Sequence, residues 1–215
     1  MTVQVIRIPS EKMDSNSYLL EDGGHVIIID GSSCEKVLET IGERGWTADL
    51  LILTHEHFDH IWFLEQLRDR LEIPVIACSL CSERIQDIKA NLSNISDLLY
   101  YFKTGIVREG KSPSFTCREA DITFDDSYEM DWRGHHLRMQ RLPGHSPAST
   151  VIWLDESHVF SGDYLILEEK EITRLKGGST EDYENIARPV LEQIPDGTWI
   201  CPGHGSMYEK GQQDE

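Results

Sequence analysis

The stretch Asp49-Leu50-Leu51-Ile52-Leu53-Thr54-His55-Glu56-His57-Phe58-Asp59-His60 decides how this chain folds. It opens as a continuous apolar run, the pattern of a strand covered on both faces. It then turns polar and sets four candidate ligands, His55, His57, Asp59 and His60, within six residues. Packing does not explain such a cluster, because each buried imidazole or carboxylate needs a polar partner. Open α/β sheets place their sites where strands end. His55 and His57 share one parity, while Asp59 and His60 open the next turn and can face a second position. Ile61–Leu71 is expected to be helical, with Ile61, Leu64, Leu67 and Leu71 at helix spacing, and Pro74–Ala77 a strand.

Working outward, three further candidates sit beside glycine: His145 in Pro143-Gly144-His145-Ser146, Asp163 in Ser161-Gly162-Asp163, and His204 in Pro202-Gly203-His204-Gly205. Each follows or ends an expected strand, and glycine permits the tight turn that aims a ligand inward. Imidazole and carboxylate ligands suit zinc, and also iron or manganese. The seven groups exceed one tetrahedral site with an open position and fit two adjacent metals sharing a carboxylate. His25, His135, His136 and His158 stand apart from these motifs and read as surface or structural residues.

The N-terminal part alternates strands and turns: Val3–Ile8, Ser17–Leu20 and Val26–Asp30, with a hairpin turn at Asp22-Gly23-Gly24. Cys34–Arg44 reads as a helix with Val37, Leu38 and Ile41 on one face. Leu80–Ala90 and Ile95–Phe102 read as helices and Lys111–Ser114 as a loop. Strands return from about Thr123, at His136–Arg141, Thr150–Leu154, Val159–Ser161 and Trp199–Cys201. A helix is expected over Thr180–Gln193, capped by Ser179 or Thr180 and kinked or ended by Pro189.

The chain has 215 residues and a formal charge of −18, from 38 acidic against 20 basic residues. This length suits one domain over residues 1–215. Such a surface repels phosphate backbones and anionic lipid, so a small-molecule substrate is expected rather than nucleic acid or a membrane. There is no signal pattern, no apolar run near the roughly 18 residues of a membrane span, and an odd count of five cysteines. These features fit a cytoplasmic protein with reduced thiols. Cys78 and Cys81 lack the second pair that a zinc site needs, and read as a strand end and a helix start. Oligomeric state is not set by the sequence.

With these motifs in hand, the chain resembles the metallo-β-lactamase superfamily. HxHxDH at His55–His60, Gly144-His145, Gly162-Asp163 and the PGHG of Pro202–Gly205 occur in the family's order. The resemblance implies a four-layer αββα sandwich, an α/β fold of two sheets with helices outside. It implies a first metal on His55, His57 and His145, a second on Asp59, His60 and His204, and Asp163 bridging them. Within the family the chain looks most like single-domain glyoxalase II-like hydrolases, through Leu142–Pro147, Ile172–Ser179 and Asn91-Leu92-Ser93. It departs from them in carrying Ile61-Trp62-Phe63 in place of glycines after HxHxDH, and Arg174 in place of an aspartate. It also ends about ten residues after His204, without the added helical domain that binds glutathione in glyoxalase II.

The resemblance implies a hydrolase acting on an ester or thioester through two divalent ions, zinc first, with iron and manganese as alternatives. A hydroxide between two metals is a strong nucleophile near neutral pH. Asp59 is expected to be a ligand and a candidate catalytic proton acceptor. Arg141, Arg174 and Lys176 are candidates to hold an anionic group. Trp62, Phe63, Tyr100, Tyr101 and Phe102 are candidates to line a cleft. The alternatives are a mononuclear-iron, persulfide dioxygenase-like oxidoreductase, a phosphodiesterase or nuclease, and a non-catalytic binding protein. His57 stands against flavodiiron-type relatives, which carry a glutamate there. A nuclease would call for a basic track beside the site, and the charge of −18 and the short chain stand against it.

Overall fold

The computed structural model describes residues 3–10 and 12–212. In chain order the strands and α-helices are β1 (Gln4–Pro9), β2 (Asn16–Asp22), β3 (His25–Ile29), α1 (Glu35–Arg44), β4 (Thr47–Ile52), α2 (Phe58–Ile61), α3 (Leu64–Leu71), β5 (Val75–Cys78), α4 (Ser79–Arg84) and α5 (Ser96–Thr104). They continue with β6 (Ile122–Phe124), β7 (Ser127–Trp132), β8 (His135–Arg141), β9 (Thr150–Leu154), β10 (His158–Gly162), α6 (Thr180–Asp182), α7 (Arg188–Glu192), β11 (Trp199–Pro202) and β12 (Tyr208–Glu209).

The strands form two six-stranded sheets, β1-β2-β3-β4-β5-β6 and β12-β11-β10-β9-β8-β7. The first begins as an antiparallel meander, because Gly23 and Gly24 adopt left-handed φ of 58° and 84° and close a tight hairpin. It becomes parallel from β3 to β6. The second is antiparallel except for the pair β10–β11.

Period-two alternation explains the layers. Ile152 and Phe160 join the large core shared with the first sheet, while their neighbours Val151 and Val159 face a second cluster with Ala187 and Leu191. The second sheet is therefore covered on both faces. On the other side, Val37 and Ile41 of α1 and Leu64 and Leu67 of α3 enter the large core. The result is the expected α/β sandwich of two sheets flanked by helices.

Three helices differ from the sequence expectation, each for a visible reason. The expected helix Ile61–Leu71 breaks at Trp62-Phe63. Gly31 intrudes there: its N–H donates to the His60 carbonyl, and its own carbonyl accepts from Phe63 N–H. The helix expected over Leu80–Ala90 stops at Arg84, because the Ile85 carbonyl is taken by Cys117 N–H and Asn91 Nδ2. Thr180–Glu192 stays helical across Pro189. A π-helical turn over Tyr183–Ala187 precedes the proline, which then sits in the first turn of α7 where no N–H is required. Ser179 caps this stretch as expected, accepting from Asp182 N–H. Cys78 ends β5, and its sulfur accepts from Cys81 N–H at the start of α4. No helix among the described residues is long and apolar enough to cross a membrane.

Candidate metal centre

All seven expected side chains meet where β4, β10 and β11 end. The loop after β4 supplies His55 and His57, α2 supplies Asp59 and His60, the β8–β9 loop supplies His145, Asp163 directly follows β10, and His204 follows β11 after Gly203. Their ligand atoms fall into two groups: His55, His57, His145 and Asp163 in one, and Asp59, His60 and His204 in the other. Atoms within a group lie within 4.8 Å of one another.

In the first group, His57 Nδ1 is 3.1 Å from His55 Nε2 and 2.9 Å from His145 Nε2. Asp163 Oδ2 is 3.3 Å from His145 Nε2. Ligands about 2.0–2.1 Å from a tetrahedral ion lie roughly 3.3 Å apart, so this spacing suits one cation. In the second group, His204 Nε2 is 3.3 Å from Asp59 Oδ2, and His60 Nε2 is 4.0 Å from the same oxygen. Asp163 reaches this group too, with Oδ1 3.1 Å from His60 Nε2 and Oδ2 3.6 Å from His204 Nε2.

Hydrogen bonds behind the imidazoles decide which nitrogen is free. A carboxylate or carbonyl can only accept, so the facing ring nitrogen carries the proton. His60 Nδ1 donates to Asp30 Oδ2 at 2.8 Å, and His145 Nδ1 donates to the Ile172 carbonyl at 2.8 Å. Thr54 Oγ1 gives its proton to Asp30 Oδ2, so it accepts from His55 Nδ1. All three rings therefore turn Nε2 towards the centre, the nitrogen each would offer to a metal. His204 differs. Lys103 Nζ lies 2.8 Å from its Nδ1, and an ammonium only donates. No acceptor therefore stands behind this ring to fix a proton on Nδ1, while Nε2 faces Asp59 and Asp163.

Electrostatics divide the groups in the same way. Burial, then the neighbouring His60 and His57, hold His55 well below the usual imidazole range. Burial and His145 bring His57 down to about 4. His60 and His204 are also buried, but the nearby carboxylates outweigh this cost and raise both, His204 to about 9. Asp59 and Asp163 are held low against burial by the facing imidazoles.

The residues fit a metal pair. His60 Nε2 and Asp163 Oδ1 are buried and face each other without a hydrogen bond, a pairing that a cation between donors would satisfy. Gly203 is needed for space. A Cβ there would lie 2.3 Å from Asp163 Oδ1 and 2.8 Å from His60 Cε1.

Several supporting residues carry no metal-site signature in the sequence. Asp30 also accepts from Thr54 N–H. Glu56, between His55 and His57, is wholly buried; its carboxylate accepts from Arg84 Nε at 2.5 Å and Ser146 Oγ at 2.8 Å. Tyr164 Oη accepts from His145 N–H and donates to the Leu142 carbonyl. The strand pattern could have flagged Asp30, since a charged residue ends the apolar run Val26–Ile29.

A cleft of about 690 Å³ opens over the site, with His57, Asp59, His145, Asp163 and His204 on its floor. Of the aromatics expected to line it, only Phe102 does so. Trp62 and Tyr100 pack in the cluster behind Phe58, Phe63 joins the large core, and Tyr101 is exposed. Of the expected cations, Arg174 lines the cleft. Arg141 is paired with Asp126, and Lys176 lies outside the lining. His25, His135 and His136 pair with Asp49, Asp155 and Asp131, away from the site.

A family profile described as the metallo-beta-lactamase superfamily matches residues 11–204. The chain is 30% identical over 201 residues to "Probable metallo-hydrolase YqgX" of Bacillus subtilis (strain 168), covering 93% of this chain and 89% of that protein. It is 25% identical over 204 residues to the hydroxyacylglutathione hydrolase of Photorhabdus laumondii, covering 94% of this chain and 66% of that protein. Among solved structures, the BLEG-1 B3 metallo-beta-lactamase superposes with a TM-score of 0.77 at 26% identity, covering 96% and 94% of the two chains.

Proposed function

The chain belongs to the metallo-β-lactamase superfamily, and from that premise we propose that it hydrolyses an ester or thioester at a dizinc centre held by these seven side chains. His55, His57 and His145 would hold one ion and Asp59, His60 and His204 the other, with Asp163 between them. The observation that carries this reading is the double reach of Asp163, whose two oxygens lie within 3.6 Å of imidazoles of both groups. When bound, two zinc ions supply Lewis acidity and lower the pKa of water towards neutrality.

The chain's own residues do the rest. Asp30, Thr54 and the Ile172 carbonyl fix His60, His55 and His145 with Nε2 inward. Asp59 lines the cleft floor beside the ligands, where its second role is to take up a proton as the tetrahedral adduct collapses. Phe58 and Leu92 shield one side of the floor from water. A hydroxyacylglutathione hydrolase among the relatives supports a thioester, whereas the BLEG-1 neighbour is a β-lactamase.

Elemental analysis joined to a panel of thioester, lactone, phosphodiester and β-lactam probes tests this reading. Two zincs per chain with thioester turnover are expected. One iron per chain with oxygen consumption, or turnover of the β-lactam alone, would overturn it.

A further inference from the structure

The cleft has an apolar wall. Met13, Phe58 and Leu92 are buried in a cluster of their own, packed against Leu99 and Leu175. All five line the cleft, and Phe58 lies between His57 and Asp59 in the chain, so this wall adjoins the candidate ligands. Phe102 carries the apolar wall out to the mouth, where it is 73% exposed.

Lys103, Lys170 and Arg174 line the same cleft. Among the described residues, seven arginines pair with carboxylates: Arg68, Arg84, Arg108, Arg118, Arg133, Arg141 and Arg188. Arg174 and Lys170 have neither an ion pair nor a hydrogen bond there, although the chain carries a net charge of −18. Glu169 and Glu171 line the cleft as well, and neither forms an ion pair with Arg174 or Lys170. A cleft that keeps cations unpaired in so acidic a protein is built to receive an anion.

Resting on the hydrolase reading above, we propose that the substrate is an acyl thioester with an apolar acyl chain of several carbons and a carboxylate or phosphate on its thiol portion. The chain lies against Met13, Phe58, Leu92 and Leu99, and the anionic group is held by Arg174 and Lys170. Water adds to the acyl carbon and the C–S bond breaks, giving a carboxylate, a thiol and one proton. The apolar contacts are the same in the ground and transition states, so lengthening the chain lowers KM and leaves kcat nearly unchanged.

The test uses zinc-loaded protein and acetyl, butyryl, hexanoyl and octanoyl thioesters of mercaptopropionate, which is anionic, and of mercaptoethanol, which is neutral. We expect kcat/KM to rise about three- to fourfold per buried methylene, almost wholly through KM. The anionic series should lead the neutral one by about tenfold, the scale of one charge-assisted contact. Arg174→Gln should erase that lead, and Leu99→Ser should flatten the dependence on length. Measurable turnover with a flat or falling length series overturns the proposal, as does an anion preference that survives Arg174→Gln combined with Lys170→Gln. Should protein holding two zincs cleave no thioester at all, the hydrolase reading itself fails. Calorimetric titration with S-octyl and S-ethyl mercaptopropionate, thioethers that cannot be hydrolysed, then decides the cleft: tighter binding of the octyl compound sustains the apolar pocket, and equal affinity overturns it.

Discussion

The two halves of the centre are built from opposite materials. The half made by His55, His57 and His145 is all imidazole, and burial drives protons off His55 and His57. The half made by Asp59, His60 and His204 contains a carboxylate, and its imidazoles hold protons more tightly than usual. At neutral pH the first presents lone pairs ready for a cation, whereas the second keeps its charges balanced with protons. A metal entering the second half must displace them, since metal and proton compete for the same lone pairs.

Asp163 is the carboxylate common to both halves, so its removal is the most severe way to break the contrast. Asp163→Ala should lower turnover at least about a thousandfold and reduce bound metal, read by kinetics and elemental analysis. Full metal with full turnover would show that the halves do not depend on it. Arg84→Met acts on the first half, since it leaves the buried Glu56 carboxylate without its counter-charge between His55 and His57. Breaking a buried pair in this way costs about 3 kcal/mol, measurable by urea unfolding of the metal-free protein; an unchanged midpoint would show that Glu56 needs no partner.

Asp30→Asn acts on the second half, because His60 loses its carboxylate acceptor. Zinc affinity should fall about tenfold to a hundredfold, chiefly in the weaker binding step, as judged by competition with a chromophoric chelator. Equal loss in both steps would place Asp30 behind the whole centre through Thr54. The smallest effect sharpens the contrast. His204 is raised to about 9, so below that pH the second step should release protons and weaken as pH falls, by up to about tenfold per unit for each proton. His57 is lowered to about 4 and is deprotonated well above that pH, so it adds no proton release to the first step near neutrality. Calorimetry in buffers of different ionisation enthalpy counts the protons, and equal release in both steps would erase the distinction.

The seven candidate ligands were legible in the sequence because each sits at a strand end inside a short polar or glycine-bounded motif, as at His55–His60 and Pro202–Gly205. The sandwich was legible from the order of strands and helices once those motifs were recognised. The supports behind the ligands were not. Ile172 acts through a backbone carbonyl, which any residue could supply. Arg84 looks like an ordinary helix residue until its helix stops and its guanidinium meets Glu56, 28 positions away. Asp30 reaches His60 only because Gly31 breaks into the helix after HxHxDH, where a Cβ would lie 3.0 Å from the Leu64 backbone. Such approaches depend on how distant segments dock, so local pattern can mark a residue such as Asp30 but not the partner it meets.

The suture between the chain's beginning and its last motif has a consequence for synthesis. Asn16 Nδ2 and the Tyr18 hydroxyl both donate to the Pro202 carbonyl, and Asn16 N–H donates to that of Gly203. On a ribosome these bonds therefore cannot form until residue 203 has emerged. His204 is delivered by that same closure, so a nascent chain can gather His55 to His60 early but has no complete cage until its far end folds back. Capture of an ion at the proposed second position would thus be tied to that closure, and a chain cut short just before Pro202 would lose a candidate ligand and a seam together.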